Sequence, residues 1–107
     1  MSDSDAGREL FWSVAEPHLE AGVLVRGTIM GRPCVRTADG EFVAVPHSGT
    51  GRLVVRLPEE RVAALSAEGV GEPWGPGARV FKGWMAVHGS DPAVWSSVIA
   101  EAVAAAE

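Results

Sequence analysis

Four side chains of the kinds that perform catalysis or bind metal ions are scattered along the sequence. The histidines are His18, His47 and His88, and the single cysteine is Cys34. Zinc sites are usually built from pairs of such ligands only a few residues apart, and none of these four lies that close to another. The spacing therefore predicts no metal site. We expect His18 at a helix end and the other two histidines at strand ends in solvent.

Cys34 is the residue most suited to act as a nucleophile. It lies between Pro33 and Val35 inside a predicted strand, where a cysteine packs as a small apolar side chain. A nucleophilic thiol needs a helix N-terminus or a cation to lower its pKa, and a base beside it. Nearby arginines leave a reactive thiol as an alternative to a buried, inert one. The inert thiol is the preferred interpretation, so no catalytic residue is predicted.

A glycine-rich segment over residues 69–77, GVGEPWGPG, is the stretch closest to a phosphate-binding loop. It matches neither the dinucleotide-binding pattern nor the P-loop pattern. It also precedes a predicted strand, so no helix N-terminus follows it to bind a phosphate group. We therefore predict a connecting loop at Gly71–Gly77, with Trp74 at its tip, and no cofactor.

Arginines and one tryptophan form the best candidate for a binding surface. Arg52 and Arg56 share the outer face of one predicted strand, and Arg26 or Arg36 would lie alongside in a meander. Trp74 lies in the predicted loop, and partly exposed tryptophans often anchor interfaces. One interpretation is a sheet face in solvent. The other is a docking surface for an identical subunit or an acidic partner, formed by Arg26, Arg36, Arg52, Arg56 and Trp74.

Composition limits the classes of partner. The 107 residues suffice for one domain with one core, and 47% hydrophobic and 21% charged residues are ordinary for a globular protein. The net charge is -5, yet residues 21–58 carry five arginines and two acidic residues, a local +3. An overall acidic protein is repelled by phosphate backbones. We therefore expect that the protein alone does not bind duplex DNA appreciably.

The cellular compartment is predicted from three absences in the sequence. One cysteine cannot form an internal disulfide, which favours a reducing compartment. The first ten residues, MSDSDAGREL, lack the basic and apolar regions of a signal peptide. No run approaches the roughly 20 apolar residues that a membrane span requires. A cytoplasmic protein that does not bind membranes is predicted.

Hydrophobic periodicity and Gly/Pro punctuation predict the element order α-β-β-β-β-α-β-α. The predicted elements are a helix from Ser4 or Asp5 that Pro17 kinks or ends, strands over 23–30, 34–36, 41–45 and 52–57, a helix from Glu59 to Gly69, a strand over 79–87 and a helix from Pro92. We therefore expect an α+β fold in a single domain over 1–107, with an antiparallel sheet of about five strands and three helices. Residues 1–6 are expected to be flexible.

Alternation along the strands predicts one buried core. In the strand over 52–57, Leu53, Val55 and Leu57 are expected to face inward, and Arg52, Val54 and Arg56 to face outward. The residues expected in this core are Phe42, Leu53, Val55, Leu57, Phe81, Trp84, Trp95 and Ile99.

Several segments in this order resemble the TfoX N-terminal domain family (TfoX/Sxy-like). They are GTIMG, FVAV after an Asp-Gly turn, LVVRLP, GEPWGPG and FKGWMAV, within residues 8–106. Ile29-Met30-Gly31 stands where the family has a Met-Phe-Gly-like element, and Arg56 stands in place of a lysine in a Leu-x-x-Lys-like strand. The MmcQ/YjbR-like proteins are similar more distantly. The resemblance implies an α+β domain with helices on an antiparallel sheet, a regulatory role and no catalytic residues.

Three functional hypotheses follow from the sequence. The first is a small non-enzymatic interaction or regulatory module that binds a protein partner or a second copy of itself as a homodimer. The second is a nucleic-acid-associated transcriptional co-regulator that uses the basic middle segment. The third is an enzyme that uses Cys34.

Overall fold

Three helices and six strands make up the described part of the chain, which in this computed structural model comprises residues 3–29, 31–47, 50–75, 80 and 82–106. The elements in chain order are α1 (Asp3–Glu20), β1 (Leu24–Ile29), β2 (Arg32–Thr37), β3 (Phe42–Pro46), β4 (Leu53–Arg56), α2 (Glu59–Ala67), β5 (Gly71–Pro73), β6 (Trp84–Val87) and α3 (Pro92–Ala106). The predicted α+β class and the three helices are confirmed.

The sheet is antiparallel throughout, in the order β1-β2-β3-β4-β6-β5. Its sixth strand, β5, corrects the prediction of about five strands, because Gly71–Pro73 falls in the segment predicted as a loop. Gly71 pairs with Val87, and Glu72 with Ala86. A three-residue strand that contains glycine and proline has no alternation to detect. Its extended form is stabilised by pairing with β6.

The helix ends follow from local sequence. The backbone N–H of Ala93 donates to Asp91 Oδ1 at 2.9 Å, and Pro92 is the first residue of α3, as the sequence predicted. Pro17 does not end α1, which continues for one more turn to Glu20. An end at Pro17 is therefore not observed, and α1 lacks the one backbone hydrogen bond that a proline cannot donate. The helical backbone starts at Asp3, and the expected flexibility of residues 1–6 stays a prediction.

One face of the sheet, here called the helix face, packs against all three helices. Its largest fully buried side chains include Trp95 of α3, Phe11 of α1 and Leu53 of β4. Among the predicted core residues, Leu53, Val55, Leu57, Trp95 and Ile99 belong to this cluster. Their predicted burial is confirmed.

The opposite face of the sheet, here called the open face, carries a second buried cluster. This open-face cluster consists of Cys34, Phe42, Val45, Val54 and Ala86. Val54 lies on the face opposite the helices, as predicted. It is nevertheless not in contact with solvent, because its exposure is 0%. Strand alternation gives the face of a residue but not what covers that face.

Two further residues of the predicted single core are also placed differently. Phe42 is buried, but in the open-face cluster, and Trp84 is only half-buried and packs against that same cluster. Phe81 lies outside the described residues, as does Arg79, the predicted start of the last strand; β6 begins at Trp84.

None of the helices in the described part of the chain is long and apolar enough to cross a bilayer.

A bidentate ion pair joins α2 to α3 over the helix layer. Arg61 Nε donates to Glu101 Oε2 at 2.7 Å, and Arg61 Nη2 donates to Glu101 Oε1 at 3.0 Å. The hydrogen bonds from Arg61 hold the pKa of Glu101 below its ordinary value, against the opposing effect of burial.

Replacement of Glu101 with glutamine is expected to reduce the loss of unfolding free energy that occurs as the pH falls. The folded pKa of Glu101 lies below the unfolded one, so the pair stabilises the fold above about pH 5 and is lost as pH falls through the folded pKa. Urea melts of both proteins from neutral pH down to about pH 3 measure the difference. Glu16→Gln, at an exposed position of α1, is the control. Identical pH slopes for wild type and Glu101→Gln would contradict the assignment.

Candidate interaction surface

A row of four aromatic rings crosses the open face of the sheet. Phe42 and Trp84 stack with ring centroids 4.6 Å apart, and Trp84 stacks on Trp74 at 5.6 Å. Trp74 then meets the ring of His47 edge-on at 5.7 Å. We call these residues, Phe42, Trp84, Trp74 and His47, the aromatic row.

Strand pairing positions the row. Phe42 begins β3 and Trp84 begins β6, while Trp74 directly follows β5 and its backbone N–H donates to Trp84 O at 3.0 Å. Trp74 and Trp84 are half-buried and pack against the open-face cluster. The row therefore covers small buried side chains with indole rings that stay partly exposed. Such half-buried tryptophans are typical anchors of protein interfaces.

Arg52 fastens three strands together beside this row. Its Nε donates to Val87 O at 3.2 Å, its Nη2 to Ala86 O at 3.3 Å, and its Nη1 to Glu72 Oε1 at 2.8 Å. The hydrogen bond from Arg52 lowers the pKa of Glu72. Most N–H donors of this guanidinium are thus used within the molecule, so few remain to bind a ligand.

Arg36 also binds backbone carbonyls from the open face. Its Nη1 donates to Gly40 O at 2.8 Å, and its Nη2 and Nε donate to Thr28 O at 2.7 and 3.3 Å. The side chain reaches Thr28 across Gly27, where an added Cβ would lie 2.8 Å from Arg36 Cδ. Arg36 therefore lies on the predicted face, but its head group is engaged by the sheet.

The other two predicted arginines lie on opposite faces. Arg56 is on the open face, about half exposed, with a long 3.5 Å ion pair to Glu41. Arg26 follows Leu24 by two residues, so it lies on the helix face, where its Cζ is 4.3 Å from the ring centroid of Trp12. The structure therefore brings Arg36, Arg52, Arg56 and Trp74 to one face and places Arg26 on the other.

A groove of about 460 Å³ adjoins Arg56 at the end of the sheet. Its walls come from β3, β4, the turn before β6 and the C-terminal turns of α3, including Glu41, Leu57, Lys82 and Ala105. Sequence reasoning missed this groove. Its lining residues are far apart in the chain, and no spacing pattern links Lys82 to the end of α3.

His47 and His88 both lie near Arg52. His47 Nδ1 accepts from the backbone N–H of Thr50 at 3.2 Å, and burial, together with Arg32 and Arg52, lowers the pKa of His47. His88 Nδ1 lies 3.2 Å from Arg52 Nη2. In the part of the chain that the structure describes, no three His, Cys, Asp or Glu side chains are grouped to hold a metal ion.

Cys34 is fully buried in the open-face cluster. Burial raises the pKa of its thiol, and the charge of Arg36 offsets only part of that effect. The thiolate, which is the nucleophilic form, is therefore disfavoured.

Native Cys34 is expected to react slowly with iodoacetamide at neutral pH, and rapidly once the protein is unfolded in urea. Mass spectrometry of labelled protein over time measures both rates. Cys34→Ser, which should gain no label, is the control for reaction elsewhere. Native labelling as fast as that of the unfolded chain would support the enzyme hypothesis instead.

Comparison of the chain with protein-family models, with curated proteins and with solved structures found no match.

Proposed function

We propose that the protein is a small non-enzymatic interaction module, and that the aromatic row with Arg56 is its contact surface. The observation that carries this proposal is the pair of half-buried, stacked indoles, Trp74 and Trp84, on the sheet face opposite the three helices. Rigid aromatic side chains bury much apolar area at a small cost in side-chain entropy. They therefore suit a surface that binds a partner protein.

The charges beside the row suggest the chemistry of that partner. Arg56 is about half exposed, and its ion pair with Glu41 is long enough to exchange for another carboxylate. Lys82 and Arg56 both line the groove at the end of the sheet. We propose a protein segment whose apolar side chains pack on Trp74 and Trp84, and whose acidic group pairs with Arg56 or Lys82.

Quantitative affinity purification from the host tests this surface. A partner recovered with the wild-type protein should fall at least about tenfold with Trp74→Ala or Arg56→Glu, because such anchors contribute most of an interface's binding energy. Trp12→Ala and Arg8→Glu make the same changes on α1 and should leave recovery unchanged. Circular dichroism verifies that each variant is folded. Equal recovery with all four variants would contradict the proposed surface.

Two further expectations accompany this proposal. The resemblance to the TfoX N-terminal domain family supports a regulatory role, and the observed order of helices and antiparallel strands agrees with the fold which that resemblance implies. A cytoplasmic location fits the single cysteine. Fractionation of host cells with an antibody to the protein tests the location.

The protein alone is expected to bind duplex DNA no more tightly than about 1 µM at about 150 mM salt. Head groups that contact internal carboxylates, carbonyls or rings belong to Arg8, Arg26, Arg36, Arg52, Arg56 and Arg61. These contacts compete with phosphate, and the net charge of -5 opposes it. A mobility-shift titration measures the affinity. Nanomolar binding that weakens steeply with salt would favour the nucleic-acid hypothesis.

A further inference from the structure

The two edges of the sheet differ in how readily another strand could pair with them. The β5 edge is three residues long and ends at Pro73, which lacks a backbone N–H. The β1 edge is six residues long, contains no proline, and exposes 41% of Val25. A long edge without such features tends to pair with other chains.

The hairpin between β2 and β3 shows which way the backbone groups of β2 point. The N–H of Thr37 donates to Glu41 O at 2.8 Å, and its C=O accepts from the N–H of Gly40 at 2.9 Å, so both groups face β3. Neighbouring residues of a strand direct these groups to opposite sides. The N–H and C=O of Arg36 therefore face β1, where Arg36 pairs with Val25.

The same alternation identifies the groups on the outer edge of β1. Since Val25 is hydrogen-bonded towards β2, the N–H and C=O groups of Leu24, Arg26 and Thr28 point away from the sheet. Within the described residues, the contact made to these groups from outside β1 is the pair of hydrogen bonds from the Arg36 side chain to Thr28 O.

Arg36 thus passes over β1 and covers an acceptor on its far side. The guanidinium is held at both ends, by Gly40 O at 2.8 Å and by Thr28 O at 2.7 Å. Gly27 leaves room for this crossing, since a Cβ there would lie 2.8 Å from Arg36 Cδ and the arginine would have to shift. A charged group fixed on an edge acceptor is a means of preventing strand pairing.

A second copy of this chain is the occupant that the β1 edge fits. In a two-fold antiparallel pairing centred on Gly27, Val25 would lie opposite Ile29 of the second copy, and Arg26 opposite Thr28. Centring on Arg26 instead would set two arginines against each other. In the favoured register, Thr28 C=O must accept from Arg26 N–H of the second copy, at the oxygen that Arg36 now occupies.

We infer that Arg36 guards the β1 edge, and that its removal lets β1 pair with β1 of a second copy about Gly27. This role is separate from the proposed function, because it concerns the sheet edge and not the aromatic row.

Arg36→Met tests the inference, since methionine keeps the unbranched aliphatic stem and removes every donor. Light scattering over a range of concentrations is expected to give the mass of one 11.2 kDa chain for the wild type and twice that mass for this variant. Hydrogen exchange at the Arg26 N–H should slow at least about tenfold in the associated variant, because that N–H becomes hydrogen-bonded. Arg32→Met, at an exposed position on the same face of β2, should stay monomeric with fast exchange.

Two further variants keep the test decisive if Arg36→Met is poorly folded. Gly27→Ala keeps the arginine but places a Cβ 2.8 Å from its Cδ, so the arginine side chain must shift. This shift should free Thr28 O and cause the same association. Arg36→Lys, which keeps one donor group, should restore the monomer at least in part. The inference is overturned if folded Arg36→Met or Gly27→Ala remains monomeric over the range tested. Association without slowed exchange at Arg26 would overturn it as well.

Discussion

Replacement of Trp95 with alanine is expected to lower the free energy of unfolding by about 3–5 kcal/mol. Among the described residues, Trp95 is the largest fully buried side chain, with 0% exposure, and it joins α3 to the helix-face cluster. Its Nε1 also donates to Gly89 O at 3.1 Å, just before the helix. The free energy of unfolding of a small domain is only about 5–15 kcal/mol, so this single change removes a large share of it. Urea melts followed by circular dichroism measure the loss.

Trp95→Phe separates packing from hydrogen bonding at the same position. Phenylalanine keeps most of the buried ring but leaves Gly89 O without the indole donor, so a smaller loss of about 1–3 kcal/mol is expected. Val23→Ala, at a position 37% exposed, should change stability by less than about 0.5 kcal/mol. A loss below about 1 kcal/mol for Trp95→Ala would mean that α3 does not pack as described.

Leu53→Ala is expected to cost about 2–5 kcal/mol, by loss of transfer free energy and by the cavity left behind. Leu53 is the first residue of β4, fully buried on the helix face, and it pairs across the sheet with Pro46. The surrounding cluster includes residues from all three helices and cannot collapse fully into the gap. Denaturant melts give the value, and a loss below about 1 kcal/mol would contradict the assignment of this face.

Val54→Ala is the matched comparison for the other side of the same strand. Val54 is equally buried, but in the smaller open-face cluster, and the change removes two carbons rather than three. Its cost is therefore expected to be below that of Leu53→Ala. The reverse order would show that the open-face cluster, under Trp74 and Trp84, is the main source of stability.

The sequence by itself determined the elements that depend on local chemistry. Asp39-Gly40 predicted a hairpin turn, and Gly40 has a φ of 94° between β2 and β3. Pro58 follows the end of β4 by two residues and directly precedes α2, and Asp91 caps α3, because both effects act within a few residues. Periodicity then distinguished helices from strands, which was sufficient for the α+β class.

Only the tertiary structure decided what lies against each face. β5 became a strand because it pairs with residues of β6 that lie 12 to 16 positions away in sequence. Alternation placed Val54 and Arg56 on the outer face, yet Val54 is fully buried there, in a cluster against which Trp74 and Trp84 pack.

The arginines show the same division between sequence and structure. Their positions on the strands predicted an exposed basic face, but the partners of Arg36 and Arg52 are carbonyl oxygens of other strands. Those carbonyls become available only once the order of strands in the sheet is set. A sequence pattern carries local geometry, whereas contacts between distant strands are chosen by packing over the whole domain. The elements could therefore be predicted from the residues, and the candidate surface required the assembled sheet.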